Sequence, residues 1–100
     1  MADGYVGILW VELHFPEADS LKGKRKFVKS AKAQLHERFG ASVAEVDHHD
    51  LWQRASLTVA CAANGHRELQ EHLDAVVRYL GSQAYELLRA EREVVVPGES

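Results

Sequence analysis

With 100 residues and 46% hydrophobic content, the chain is long enough for one compact core and too short for two. Its apolar runs fall far short of the ~20 residues a membrane span needs, and Met1-Ala2-Asp3-Gly4 lacks the basic region and apolar stretch of a targeting signal, so an untargeted, soluble protein is expected. The formal net charge is −3, but it is segregated: Ser20 to Phe39 carries seven Lys and Arg against Glu37 alone, a local +6 that leaves −9 elsewhere.

Between Tyr5 and Phe15 the residues Leu9, Val11, Leu13 and Phe15 alternate with Ile8, Trp10, Glu12 and His14, the two-residue period of a strand with its odd face toward the core. Pro16 closes it. Ser20 is a good cap for a helix in which Leu21, Phe27, Val28, Ala31, Leu35 and Phe39 approximate one apolar face, and Gly40 terminates that helix. Ala41 to Asp47 reads as a short strand and Arg54 to Ala63 as another, with Ala55, Leu57, Val59 and Cys61 inward. Asn64-Gly65 breaks the chain before a second helix built on Leu69, Leu73, Val76, Val77 and Leu80, which Gly81 stops. Tyr85 to Val96 is a final strand with a less regular pattern, and 96–100 is expected to be a frayed tail.

The order β-α-β-β-α-β predicts a single α+β domain over 1–100, with its core in about 5–95. The expected arrangement is a ferredoxin-like split β-α-β fold, a four-stranded antiparallel sheet with two helices on one face. Cys61, the only cysteine, cannot form an intramolecular disulfide and sits among apolar residues, as a small core residue in a reducing cytoplasm would. Val6, Ile8 and Trp10 fall on the sheet face away from the helices, beside Ser56, Thr58 and Ala60. That surface is too apolar for plain solvent contact and predicts a self-association interface. Base stacking on Trp10 is the weaker alternative, since RNA-recognition sheets present two or three rings on adjacent strands.

On the first helix Lys22, Arg25, Lys26, Lys29 and Lys32 form a stripe opposite the apolar face, with Lys24 at its edge and His36 continuing it. Like charges at these spacings repel, so a function other than stability is expected to keep them. Nucleic-acid phosphate is the partner they suit best. The plain alternative is a solvated lysine-rich face neutralised by Glu17 and Asp19.

The loop Asp47-His48-His49-Asp50 has donor types a divalent cation can use, but adjacent side chains in an extended loop diverge and no HxxxH or HExxH spacing is present. No metal, cofactor or catalytic set is assigned, and no enzymatic activity is expected. Trp52 and Leu51 are expected to fold back over the sheet edge, Asp47 and Asp50 to bond loop amides, and Arg54 to pair with a carboxylate.

The strings Ser20-Leu21-Lys22-Gly23-Lys24-Arg25 and Val43-Ala44-Glu45-Val46-Asp47, followed by Asp50-Leu51-Trp52-Gln53-Arg54-Ala55, together with Val6 to Pro16, resemble the bacterial YlxP-like family of uncharacterised proteins over roughly residues 5 to 95. The resemblance implies a ferredoxin-like fold and no known enzymatic activity. Genes of that family commonly lie beside those for translation initiation and ribosome maturation, which implies an RNA or ribosome connection. It implies no catalytic or ligand residues. The expected function is therefore a non-enzymatic cytoplasmic accessory factor that binds structured RNA or a ribosomal particle through Lys22, Lys24, Arg25, Lys26, Lys29 and Lys32. The competing expectation is a homo-oligomeric interaction module working through Val6, Ile8 and Trp10. No membrane or small-molecule partner is expected.

Overall fold

Alternating and helical periods translate directly into elements in the computed structural model, which describes residues 4–98. Strand β1 (Tyr5–His14), helix α1 (Leu21–Phe39), strands β2 (Ser42–Asp47) and β3 (Arg54–Ala63), helix α2 (His66–Gly81) and strand β4 (Glu86–Val95) follow in that order. The strands make one antiparallel sheet ordered β2-β3-β1-β4, so the fold is ferredoxin-like. Of the expected tail, 96–98 lie beyond the end of β4 and 99–100 lie outside the described residues, as do 1–3.

Helix α1 begins where Ser20, in extended conformation, accepts the Gly23 N–H on its hydroxyl at 3.0 Å. It ends at Gly40, whose φ of 63° is the left-handed geometry that favours glycine. There the Gly40 N–H donates to the His36 carbonyl and the Ala41 N–H to that of Leu35.

The core is a single layer between sheet and helices. Leu9, Val11 and Leu13 of β1 and Ala55, Leu57, Val59 and Cys61 of β3 pack with Val28 and Leu35 of α1 and with Leu69, Leu73, Val76 and Leu80 of α2, all buried. Phe15 closes one end, stacked on Phe27 at 5.4 Å and edge-on to Tyr85 at 5.3 Å. Gly7 sets how closely α2 approaches: a Cβ there would lie 2.8 Å from Leu73 Cδ1 and 3.0 Å from Leu69 Cδ1. The irregular pattern of β4 has a local cause. Glu12 pairs with Arg89 but Leu13 with Leu87, so Leu88 is a bulge that shifts the alternation and leaves its own side chain exposed.

Candidate functional site

Lys22, Arg25, Lys26, Lys29 and Lys32 all stand exposed on α1. At a rise of 1.5 Å per residue, Lys22 to Lys32 covers about 15 Å of helix. Among the described residues none of the five lies within ion-pair distance of a carboxylate, so Glu17 and Asp19 do not neutralise them. Three of them, Arg25, Lys29 and Lys32, line a hollow of about 180 Å³ with Val28 as its apolar wall and Glu45 on the β2 side.

Lys24 departs from its expected place at the edge of the stripe. It is 1% exposed, and its Nζ donates to Glu45 Oε2 at 3.2 Å and to the backbone carbonyls of His48 at 2.8 Å and His49 at 3.3 Å. The reason is rotational: Lys24, Val28, Ala31 and Leu35 stand at i, i+4, i+7 and i+11, the buried face of α1. A cation in that position must be paired and hydrogen-bonded, and it therefore takes no part in a solvent-facing phosphate site. That spacing was the available signal, together with an acid, Glu45, alternating with Val43 on β2.

The β2–β3 loop that Lys24 holds is itself well bonded. Asp47 Oδ1 accepts the His48 N–H at 2.7 Å, and His48 occupies left-handed backbone with φ 63°. The His48 imidazole Nε2 donates to Glu12 Oε1 at 2.8 Å, while Arg54 donates to Glu12 Oε2 at 3.0 Å. The imidazole hydrogen bond, helped by the Arg54 charge, holds the Glu12 carboxyl below the usual glutamate value despite some desolvation. His49 and Asp50 stand exposed, and among the described residues no three His, Cys, Asp or Glu side chains are grouped so as to hold a metal ion.

Leu51 and Trp52 do not fold back over the sheet edge as expected. They are 47% and 53% exposed, because the loop's backbone bonds and the Lys24 anchor turn this segment outward. The Gln53 carbonyl accepts the Phe15 N–H at 2.8 Å and its side-chain amide donates to the Ala18 carbonyl at 3.2 Å, which fixes the far end of the loop.

On the outer sheet face Val6 and Ile8 are half-buried and Trp10 is exposed. Their partners on β3 are the small residues Ala62, Ala60 and Thr58, and on β4 they are Val95, Glu93 and Glu91. A cleft of about 350 Å³ adjoins Trp10, lined by Glu12, Asp47, Ser56, Arg89 and Glu91 among others, with Arg89 already bonded to Glu91. The surface around this tryptophan is thus apolar with an acidic border, which repels phosphate. Cys61 is buried and burial pushes its thiol pKa up, as burial chiefly does to the Tyr85 phenol, to about 12. Neither supplies a ready nucleophile.

No helix of the described residues is long and apolar enough to cross a membrane. A family described as "Protein of unknown function (DUF503)" matches residues 6–92. The chain is also 27% identical over 77 residues to "Uncharacterized protein YlxP" of Bacillus subtilis (strain 168), an alignment covering 77% of this chain and 84% of that protein.

Proposed function

We propose, for a chain that belongs to the DUF503 family, that it is a cytoplasmic RNA-binding accessory factor without chemistry of its own, whose working surface is the outer face of α1. The observation that carries this reading is the set of five exposed cations, Lys22, Arg25, Lys26, Lys29 and Lys32, unpaired among the described residues. Acids interleaved with lysines at i+3 or i+4 relieve their repulsion and mark a salt-bridged, solvated face. Here the other residues from 22 to 32 are Gly23, the buried Lys24, Phe27, Val28, Ser30 and Ala31, none of them acidic, so nothing within that stretch of the helix relieves the mutual repulsion. The −9 on the rest of the chain confines contact to this face and favours a folded RNA or ribosomal particle whose shape presents phosphates locally.

The test is fluorescence-anisotropy titration of a labelled, folded ribosomal RNA fragment across a salt series. Five phosphate contacts predict a log-log slope of about −4. Lys26→Glu with Lys29→Glu is expected to abolish measurable binding at moderate salt and to flatten the slope by about 2. Absence of binding at low salt refutes the reading.

The exposed Trp10 with half-buried Val6 and Ile8 favours a second, compatible reading, self-association through the outer sheet face. Light scattering coupled to size exclusion is expected to show an oligomer that Trp10→Glu reduces to a monomer. A monomeric parent protein at high micromolar concentration sinks this second reading.

A further inference from the structure

We infer that the hollow formed by Arg25, Lys29 and Lys32 takes a terminal phosphate monoester of the RNA, an assignment that rests on the RNA-binding reading. The five exposed cations of α1 are not one uniform row. Arg25, Lys29 and Lys32 stand at i, i+4 and i+7 along the side of the helix that faces β2, where they share the hollow of about 180 Å³ with Val28 and Glu45. Lys22 and Lys26 lie farther round the helix and outside that hollow.

Charge is concentrated there. Glu45, the acid on the hollow's wall, is offset by the ammonium of buried Lys24, bonded to it at 3.2 Å, so the three exposed cations stand in excess around one small space. Val28, 6% exposed, supplies an apolar wall that keeps water from one side and strengthens attraction between charges. Sites that enclose a whole small molecule run to roughly 300–1,000 Å³, so this one takes a single compact anionic group and leaves a nucleoside outside. Arg25 adds a planar fork of donors that matches phosphate oxygens. Two kinds of phosphate are present on an RNA. An internal diester carries one negative charge and needs two exits for its ester arms. A terminal monoester carries about two charges near neutral pH and has one arm, so it enters a hollow end-on. The chain behind it then has Lys22 and Lys26 for its further phosphates.

The experiment compares, by anisotropy, two 3′-labelled stem-loop RNAs that differ only in carrying a 5′-monophosphate or a 5′-hydroxyl. The phosphate is expected to tighten binding roughly ten- to hundredfold. Arg25→Ala with Lys32→Ala should erase that preference. Lys22→Ala with Lys26→Ala removes the same charge and should weaken both RNAs by a common factor while keeping the preference. Equal affinity of the parent protein for the two RNAs, or a preference that survives Arg25→Ala with Lys32→Ala, overturns the terminal-phosphate assignment and leaves the broader RNA reading standing. Failure of both RNAs to bind at low salt overturns both. Displacement of the phosphorylated RNA by adenosine monophosphate or by a phosphoserine peptide, at concentrations no higher than the unlabelled RNA itself requires, overturns the assignment to an RNA end.

Discussion

Replacing Lys24 with methionine is expected to lower the unfolding free energy by about 3 kcal/mol, a large fraction of the 5–15 kcal/mol typical of a small domain. Methionine matches the aliphatic stem and keeps its contacts in the core face of α1, so the loss isolates the ammonium. That group satisfies three acceptors, Glu45 Oε2 and the carbonyls of His48 and His49. Removing it leaves the Glu45 side chain, 19% exposed, as a largely desolvated carboxylate and takes the ammonium donor from the His48 and His49 carbonyls. In urea unfolding the midpoint should fall with the slope unchanged. Adding Glu45→Met should recover part of the loss, because removing both charges is far less costly than removing one. An unchanged midpoint for the single variant would show that the buried pair contributes nothing. A second readout separates loop from core: acrylamide quenching of Trp52 should increase in Lys24→Met if this lysine orders the 48–53 loop.

The other large effect belongs to Gly7. Its absent side chain is what lets α2 lie against β1, with Leu73 and Leu69 methyls at 2.8 and 3.0 Å from where a Cβ would stand. Those methyls end flexible side chains, but both leucines are 0% exposed, and moving either pushes on close-packed neighbours. Gly7→Val is expected to destabilise by about 3 kcal/mol, at the upper end for overpacking, even though valine is the better strand former. Gly7→Ala should lose less. Gly81→Ala supplies the contrast: a Cβ there meets nothing within 4 Å, and in a helix alanine is favoured, so stability should hold or rise by up to about 1 kcal/mol. Thermal or urea melts of the three variants check the ranking, and a Gly7→Val protein as stable as the parent would mean that α2 can retreat from the sheet freely.

Most of the fold was legible because it is written in local periods. The two-residue alternation of Leu9, Val11 and Leu13 and of Ala55, Leu57, Val59 and Cys61 identified the inward faces correctly, as did the 3.6-residue spacing of Leu69, Leu73, Val76 and Leu80. The pattern of β4 blurred where the Leu88 bulge changes its phase, a feature set by pairing with β1 and invisible in the strand alone. At the candidate site the stripe cations were readable from their spacing. Lys24 reads as a stripe cation by its charge, but its place in the buried row with Val28, Ala31 and Leu35 takes it out of the stripe. Trp52 departs from its expected place for a different reason. Its exposure follows from bonds between residues far apart in the chain, Lys24 to His48 and Phe15 to Gln53, which no window of neighbouring residues reports.

Strand β1 precedes the other described elements in the chain and sits inside the sheet, with β3 on one side and β4, which follows all of them, on the other. Val6 pairs with Val95 across nearly the whole chain. Such non-local pairing slows folding, and until β4 docks, one edge of β1 is an open row of backbone donors and acceptors flanked by Val6, Ile8 and Trp10, able to recruit a foreign strand. A chain still emerging from a ribosome passes through that state for as long as its C-terminal strand is withheld. Once β4 arrives, Glu86, Arg89, Glu91, Arg92 and Glu93 line the new border, and their charges guard it against edge-to-edge aggregation. The strand that completes the sheet thus also closes its period of greatest vulnerability during synthesis.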